Sequence, residues 1–128
     1  MNQPDSWKRE VLTHVSPFQA CNHRQLDDFA RLADVQHLDT GAVLCRQGDA
    51  GDDTYVIAEG AVVVSIDGVD VATLAAGELV GEQAILHYGR RNATVRAVQP
   101  TTVLVIDARE IDCMLAAVPS AARSYGIR

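Results

Sequence analysis

The sequence predicts a mainly β domain with helices flanking the strands, and three observations carry that prediction. From Val35 onward, short β-rich runs follow one another at 35–38, 43–46, 54–58, 62–66, 69–74, 94–98 and 102–106. Glycine turns punctuate them at Thr40-Gly41, Gln47-Gly48-Asp49, Glu59-Gly60, Asp67-Gly68 and Ala76-Gly77. Asp-Gly between two valine-rich runs, as at Asp67-Gly68, is a strong hairpin signal. Many short strands at such spacing make a sandwich or a jelly-roll barrel.

The flanks carry a different period. Residues 5–15 are expected to form a short helix with Trp7, Val11 and Leu12 on one side, ended by Pro17. Phe18 is expected to anchor this segment to the body of the domain. Asn22 followed by Gln25 reads as a capping box. Leu26, Phe29, Ala30 and Ala33 then recur at helical spacing, which predicts a helix over about 23–33. Asp107 with Glu110 reads as a second capping box. Ile111, Met114 or Leu115, and Val118 form the helical stripe behind it, ended by Pro119.

Composition narrows the function classes. A chain of 128 residues with 48% hydrophobic and 22% charged residues suits one soluble globular domain. The net charge of −6 argues against a general nucleic-acid surface. Cys21, Cys45 and Cys113 are odd in number and have no C-x-x-C spacing, so neither a disulfide framework nor structural zinc is expected. A reducing, cytoplasmic setting fits this usage. The first residues carry no signal-peptide pattern, and no apolar run approaches the roughly 18 residues of a membrane span. His14, His23 and His37 lack sequence partners and are expected at the surface. Asp49, Asp52 and Asp53 are expected to make a solvated acidic turn, because the calcium-loop pattern is missing.

The stretch from Leu79 to Val95 concentrates the chemistry. It runs through Gly81-Glu82, a short helical segment, Gly89 and the pair Arg90-Arg91 into the strand at Ala93-Thr94-Val95. Glycine lets a ligand approach the backbone closely. A helix N-terminus favours an anion through its free N–H groups. An arginine fork can hold the same anion by two parallel hydrogen bonds. Glu82 only accepts, so it suits a hydroxyl donor such as a ribose 2′-OH. His87, Arg90 and Arg91 form the densest basic cluster in this acidic chain.

This stretch resembles the phosphate-binding cassette of cyclic nucleotide-binding domains. That cassette reads roughly Phe-Gly-Glu-Leu-Ala-Leu, a spacer, then Pro-Arg-Ala/Thr-Ala-Thr-Val. Gly81-Glu82, Ala84, Leu86, Arg91 and Ala93-Thr94-Val95 fall in register without a gap. Val80, Gln83, Arg90 and Asn92 depart from it, and none of these removes a charged ligand group. The resemblance implies an eight-stranded jelly-roll-like β-roll with N-terminal helices, a short cassette helix and a C-terminal hinge helix. It divides the chain into an N-terminal helical segment (1–20), the β-roll with its hinge helix (21–118) and a short tail (119–128). That tail would be a truncated form of the family's lid helix, in which Tyr125 could stack on a base.

The same resemblance implies a ligand site of Gly81, Glu82, Gln83, Ala84, Arg91, Asn92, Ala93 and Thr94. Glu82 would take the ribose hydroxyl and Arg91 the cyclic phosphate. Backbone N–H groups around Gln83, Ala84 and Ala93 would complete the cradle. Arg90 stands where the family has proline, so it is expected to be a solvated charge. Asn92 can donate and accept, and stands where many cAMP sites have a small residue and many cGMP sites a threonine. Thr94 is a strand residue by propensity and also a candidate phosphate or base contact.

The expected function is a regulatory module that binds cAMP in preference to cGMP, with the nucleotide as ligand and no cofactor or metal. It would signal through its C-terminal helix to an effector protein or through self-association as a homodimer. No helix-turn-helix for nucleic acid and no membrane segment is expected. The alternative is a β-roll scaffold that binds protein and no nucleotide. Catalysis is not expected: the histidines are scattered, and no P-loop, G-x-S-x-G or H-E-x-x-H motif occurs.

Overall fold

Burial along the strands Asp53–Glu59 and Thr101–Asp107 shows how the roll is layered. The computed structural model describes residues 6–15, 18–51, 53–80 and 90–117. Within them the chain forms α1 (Ser6–Thr13), a 3₁₀ turn (Phe18–Ala20), α2 (His23–Leu32) and β1 (Asp34–Leu38). Then come β2 (Val43–Cys45), β3 (Asp53–Glu59), β4 (Ala61–Ile66), β5 (Val69–Ala75) and β6 (Leu79–Val80). The last elements are β7 (Thr94–Ala97), β8 (Thr101–Asp107) and α3 (Ala108–Ala117). The strands make two antiparallel four-stranded sheets, ordered β1-β8-β3-β6 and β2-β7-β4-β5. The β-roll expected from the sequence is therefore present. The expected cassette helix, the tail over 119–128 and the side chains of Met114 and Leu115 lie outside what is described.

Successive side chains on a strand point to opposite faces. On β3, Tyr55 and Ile57 enter the roll, where they pack with Leu38, Val62, Val80, Val95, Ala97 and Val103. Val56 points the other way, with Leu104 and Ile106 of β8, onto Leu12, Val15, Phe18, Leu26, Phe29 and Ile111 of the helical layer. Both faces of β3 and β8 are thus buried, which explains why these two segments read as continuous apolar runs. β1 is an edge strand with only Leu38 buried.

The helices follow their local signals. Asn22 accepts from the Gln25 N–H at 2.9 Å, and the Gln25 side chain accepts from the Asn22 N–H at 2.8 Å, which closes the capping box. Phe18 is fully buried and meets Phe29 edge-on at 5.1 Å between centroids. Lys8 donates to the carbonyls of Ala30 and Ala33, so it caps the α2 C-terminus. Trp7 is 41% exposed, so of the expected apolar side of α1 it is Leu12 that enters the core.

Three sequence expectations are refined. Asp107 caps α3 through the Arg109 N–H at 2.8 Å, two residues on, and also pairs with the Arg109 guanidinium. His14, His23 and His37 are exposed as expected, but His14 meets Glu10, and His37 Nδ1 lies 3.0 Å from Thr102 Oγ1. The second contact follows from the β1–β8 register, which pairs those two residues across the sheet. The hairpin at Asp67-Gly68 forms, with Asp67 in a left-handed conformation (φ 52°). Its valines Val69 and Val71 nevertheless point to solvent.

Gly60 carries the chain from β3 in one sheet to β4 in the other. Its φ is +99°, and a Cβ there would lie 2.5 Å from both the Pro100 carbonyl oxygen and Thr101 Oγ1. Glycine is the residue that combines this conformation with that approach.

Candidate functional site

Three segments meet around Arg91. The turn after β2 supplies residues 47–51, β3 supplies Tyr55, and the approach to β7 supplies Arg90 to Thr94. Backbone bonds fasten the first and last of these: the Arg91 N–H donates to Asp49 O at 2.9 Å, and the Gly48 N–H donates to Arg91 O at 2.7 Å. Ala50 and Arg90 form an isolated antiparallel bridge beside them. The Arg91 side chain, anchored at its root, turns into the protein and is only 6% exposed.

Its guanidinium lies on the Tyr55 ring, with Cζ 5.4 Å from the ring centroid. Nη2 donates over a long 3.5 Å to the Tyr55 hydroxyl. Nη1 is shut off from solvent and has no hydrogen-bond partner among the described residues. Among the described residues no carboxylate pairs with Arg91, whereas the half-buried Arg9 and the exposed Arg31 and Arg109 each have one. Leaving a buried donor unsatisfied costs about 1–3 kcal/mol, and more when it is charged. A cation held in this way is suited to an anion. Arginine has donors only, so the complementary group must be an acceptor, and a phosphate or carboxylate fits the planar fork.

The other sequence-predicted residues divide into those described and those not. Asn92 is exposed beside Arg91, and Ala93 is buried. The Thr94 hydroxyl accepts from the Gln47 N–H at 2.9 Å, so its oxygen braces the turn after β2. Arg90 is exposed, as expected from its place in the pattern, and its Nη1 donates to Gly48 O at 3.1 Å. Gly81, Glu82, Gln83 and Ala84 lie outside the described residues, as do His87, Asp52 and Tyr125.

Two residues at the site escaped the sequence reading, Tyr55 and Gly51. A Cβ built on Gly51 would meet Arg91 Nε at 2.6 Å, Nη2 at 2.8 Å and Cζ at 3.0 Å. The available signals were the second glycine of Gly48-Asp49-Ala50-Gly51 and a lone polar-tipped aromatic in an apolar strand. Cys45, on β2, sits under the same segment, with its Sγ 4.0 Å from Ala93 O. Burial pushes its thiol pKa up, and the positive charge of Arg91 partly opposes that rise.

With the geometry established, comparison with known proteins gives one family. The profile of the cyclic nucleotide-binding domain matches residues 35–117, more than half of the chain. A cGMP-dependent protein kinase of Eimeria tenella is 31% identical over 107 residues, covering 84% of this chain and 11% of the kinase. A cyclic nucleotide-gated potassium channel of Rhizobium etli is 30% identical over 115 residues, covering 90% of this chain and 32% of the channel. The chain therefore spans a minor part of these relatives' length. Among solved structures, the regulatory domain of Toxoplasma gondii PKA with cAMP superposes with a TM-score of 0.80 at 21% identity. That superposition covers 96% of this chain and 49% of that one. No helix among the described residues is long and apolar enough to cross a membrane. The two-sheet roll and the profile match agree: this chain belongs to the cyclic nucleotide-binding domain family.

Proposed function

We propose that the chain is a regulatory module whose Arg91 binds the cyclic phosphate of a 3′,5′-cyclic nucleotide, cAMP in preference to cGMP. The observation that carries this reading is the buried guanidinium with a free Nη1 and no carboxylate partner among the described residues. In this reading Glu82 accepts from the ribose 2′-hydroxyl. Gly81 lets the backbone come close to the ligand, and Gln83, Ala84 and Ala93 bring backbone N–H groups to the phosphate. Asn92, a donor and an acceptor, can serve either base, and the cAMP in the Toxoplasma gondii PKA regulatory domain supports cAMP. Asn92 and Thr94 complete the rim. The binding unit spans 21–118, and α3 carries the signal onward to an effector protein or to a second copy of the chain. Ligand-driven signalling needs different affinity for two states, and drawing Arg91 onto an anion supplies it.

Thermal unfolding with and without each nucleotide tests this. At 100 times Kd a ligand adds about 2.7 kcal/mol of stability. For a domain of this size the midpoint then rises by on the order of 10 °C. The expected result is a larger rise with cAMP than with cGMP, and none in Arg91→Ala. No rise with either nucleotide at millimolar concentration overturns the reading in favour of a protein-binding scaffold.

A further inference from the structure

We infer that the outer face of the sheet β2-β7-β4-β5 docks a second copy of this chain, with Arg96 and Asp70 pairing reciprocally across a two-fold axis. The inference goes beyond nucleotide binding and does not rest on it. An antiparallel sheet with one face in water carries apolar residues inward and polar residues outward. β4 breaks that alternation, because Ala61-Val62-Val63-Val64 is a continuous apolar run like those of β3 and β8. β3 and β8 have the helical layer over their second face. The second face of β4 meets solvent.

The register defines that face. Val62, Val95 and Ala97 are inside the roll, with Val64 and Leu74 packed against them. Their neighbours along each strand therefore point outward. Pairing across the four strands sets Val43, Arg96, Val63 and Thr73 in one row. Ala61 and Ala75 pair in the next row, where the Val98 N–H donates to Ala61 O. Val98 is 40% exposed, Thr73 and Ala75 are exposed, and Val43, Ala61, Val63 and Arg96 are partly so. Toward the hairpin, Ser65 is buried where Gln47 ties Thr94 to Asp67. Asp70 pairs with Ser65 and stands exposed at that corner.

Charge decides the occupant. Arg96 on β7 and Asp70 on β5 are two strand spacings apart across the sheet, about 10 Å. A two-fold axis over β4, midway between them, brings each Arg96 to the other copy's Asp70 and sets Val63 against Val63. One patch thus complements itself, which is the condition for an isologous dimer. Arginine suits the position, since its stem covers the flanking valines while its head makes the pair. Edge-to-edge pairing through β5 is obstructed. The Ala75 N–H donates to Glu78 Oε2 at 2.6 Å and the Glu78 N–H donates to Ala75 O at 3.2 Å, which occupies one end of that edge. The β4–β5 register shifts at Val71, and such bulges blunt an edge further. Contact by the face remains.

Sedimentation velocity of the full chain without nucleotide, from about 10 μM to about 1 mM, tests this. The wild type is expected to pass from monomer to dimer over that range. Arg96→Asp and Asp70→Arg each place like charges together and are expected to weaken the dimer about a hundredfold. Mixed one to one, these two variants are complementary at both contacts and should dimerise with each other as the wild type does with itself. Should either reversal fail to fold, Arg96→Gln and Asp70→Asn take their place, each expected to weaken the dimer about tenfold. A wild type that stays monomeric throughout overturns the inference, and the face then belongs to another occupant. Dimerisation unchanged in the single variants, or absent from the mixture of folded reversals, overturns it as well.

Discussion

Gln47 and Asp67 close on each other through two hydrogen bonds. Gln47 Nε2 donates to Asp67 Oδ1 at 2.9 Å, and the Asp67 N–H donates to Gln47 Oε1 at 2.8 Å. This joins the turn after β2 to the tip of the β4–β5 hairpin. The Gln47 backbone N–H meanwhile holds Thr94 at the start of β7. Gln47→Ala should therefore cost about 1 kcal/mol, the net worth of an exposed pair of such bonds. The sharper readout is hydrogen exchange at the Asp67 amide, which should lose its protection while β7 keeps its own.

Arg91→Met separates stability from binding. The substitution removes a buried, partly unsatisfied cation and leaves an apolar chain of similar length. Replacing buried charge with packed apolar groups is often neutral or stabilising by about 1–4 kcal/mol. Chemical denaturation without ligand should show a midpoint equal to or above that of the wild type. The ligand-dependent rise in melting temperature should vanish in the same protein.

Gly60→Ala should be the most damaging of the single-methyl additions. The new Cβ collides with backbone at Pro100, which cannot swing away, and the φ of +99° is strained for alanine besides. A loss of about 3 kcal/mol or more is expected, as for overpacking combined with backbone strain. Urea denaturation measures it.

The Asp107 carboxyl is held below its ordinary pKa of 3.8, first by its side-chain bond to Arg109 and then by the Arg109 backbone N–H. A carboxyl depressed in the folded state contributes stability above its unfolded value and loses it as pH falls through the folded value. Asp107→Asn keeps the cap, because asparagine caps a helix about as well. The variant should match the wild type closely at neutral pH after a small loss. Its stability should fall less steeply below pH 3.8, so the two curves converge in acid. Denaturation midpoints measured across pH 2–7 test this.

Local signals explain what the sequence revealed and what it hid. Asn22-Gln25 and Asp67-Gly68 could be read because each needs only its neighbours. β3 and β8 could be read because burial on both faces leaves a continuous apolar run. Arg91 was readable from its register behind Gly81-Glu82, a pattern carried along the chain. Tyr55 and Gly51 were not, because only long-range packing, across 36 residues, brings tyrosine and arginine together. The His37–Thr102 contact was hidden for the same reason, at a separation of 65. Thr94 showed its strand propensity, yet its bond to Gln47 depends on how β2 lies beside β7.

The placing of β3 between β8 and β6 has a consequence for how the chain is made. Thr54 waits for Ile106, 52 residues later, before its hydroxyl and its strand find their partners. At synthesis rates of about 5–20 residues per second, that is a delay of several seconds. Throughout it β3, whose residues Thr54 to Ile57 are all buried in the folded roll, has an open edge, and edges of this kind recruit other chains. The proposed seat for the anion needs Arg91, which comes 36 residues after Tyr55, late in the same interval. A nascent chain therefore passes through an aggregation-prone interval in which the ligand has nothing to grip, and nucleotide can rescue only molecules that have already closed.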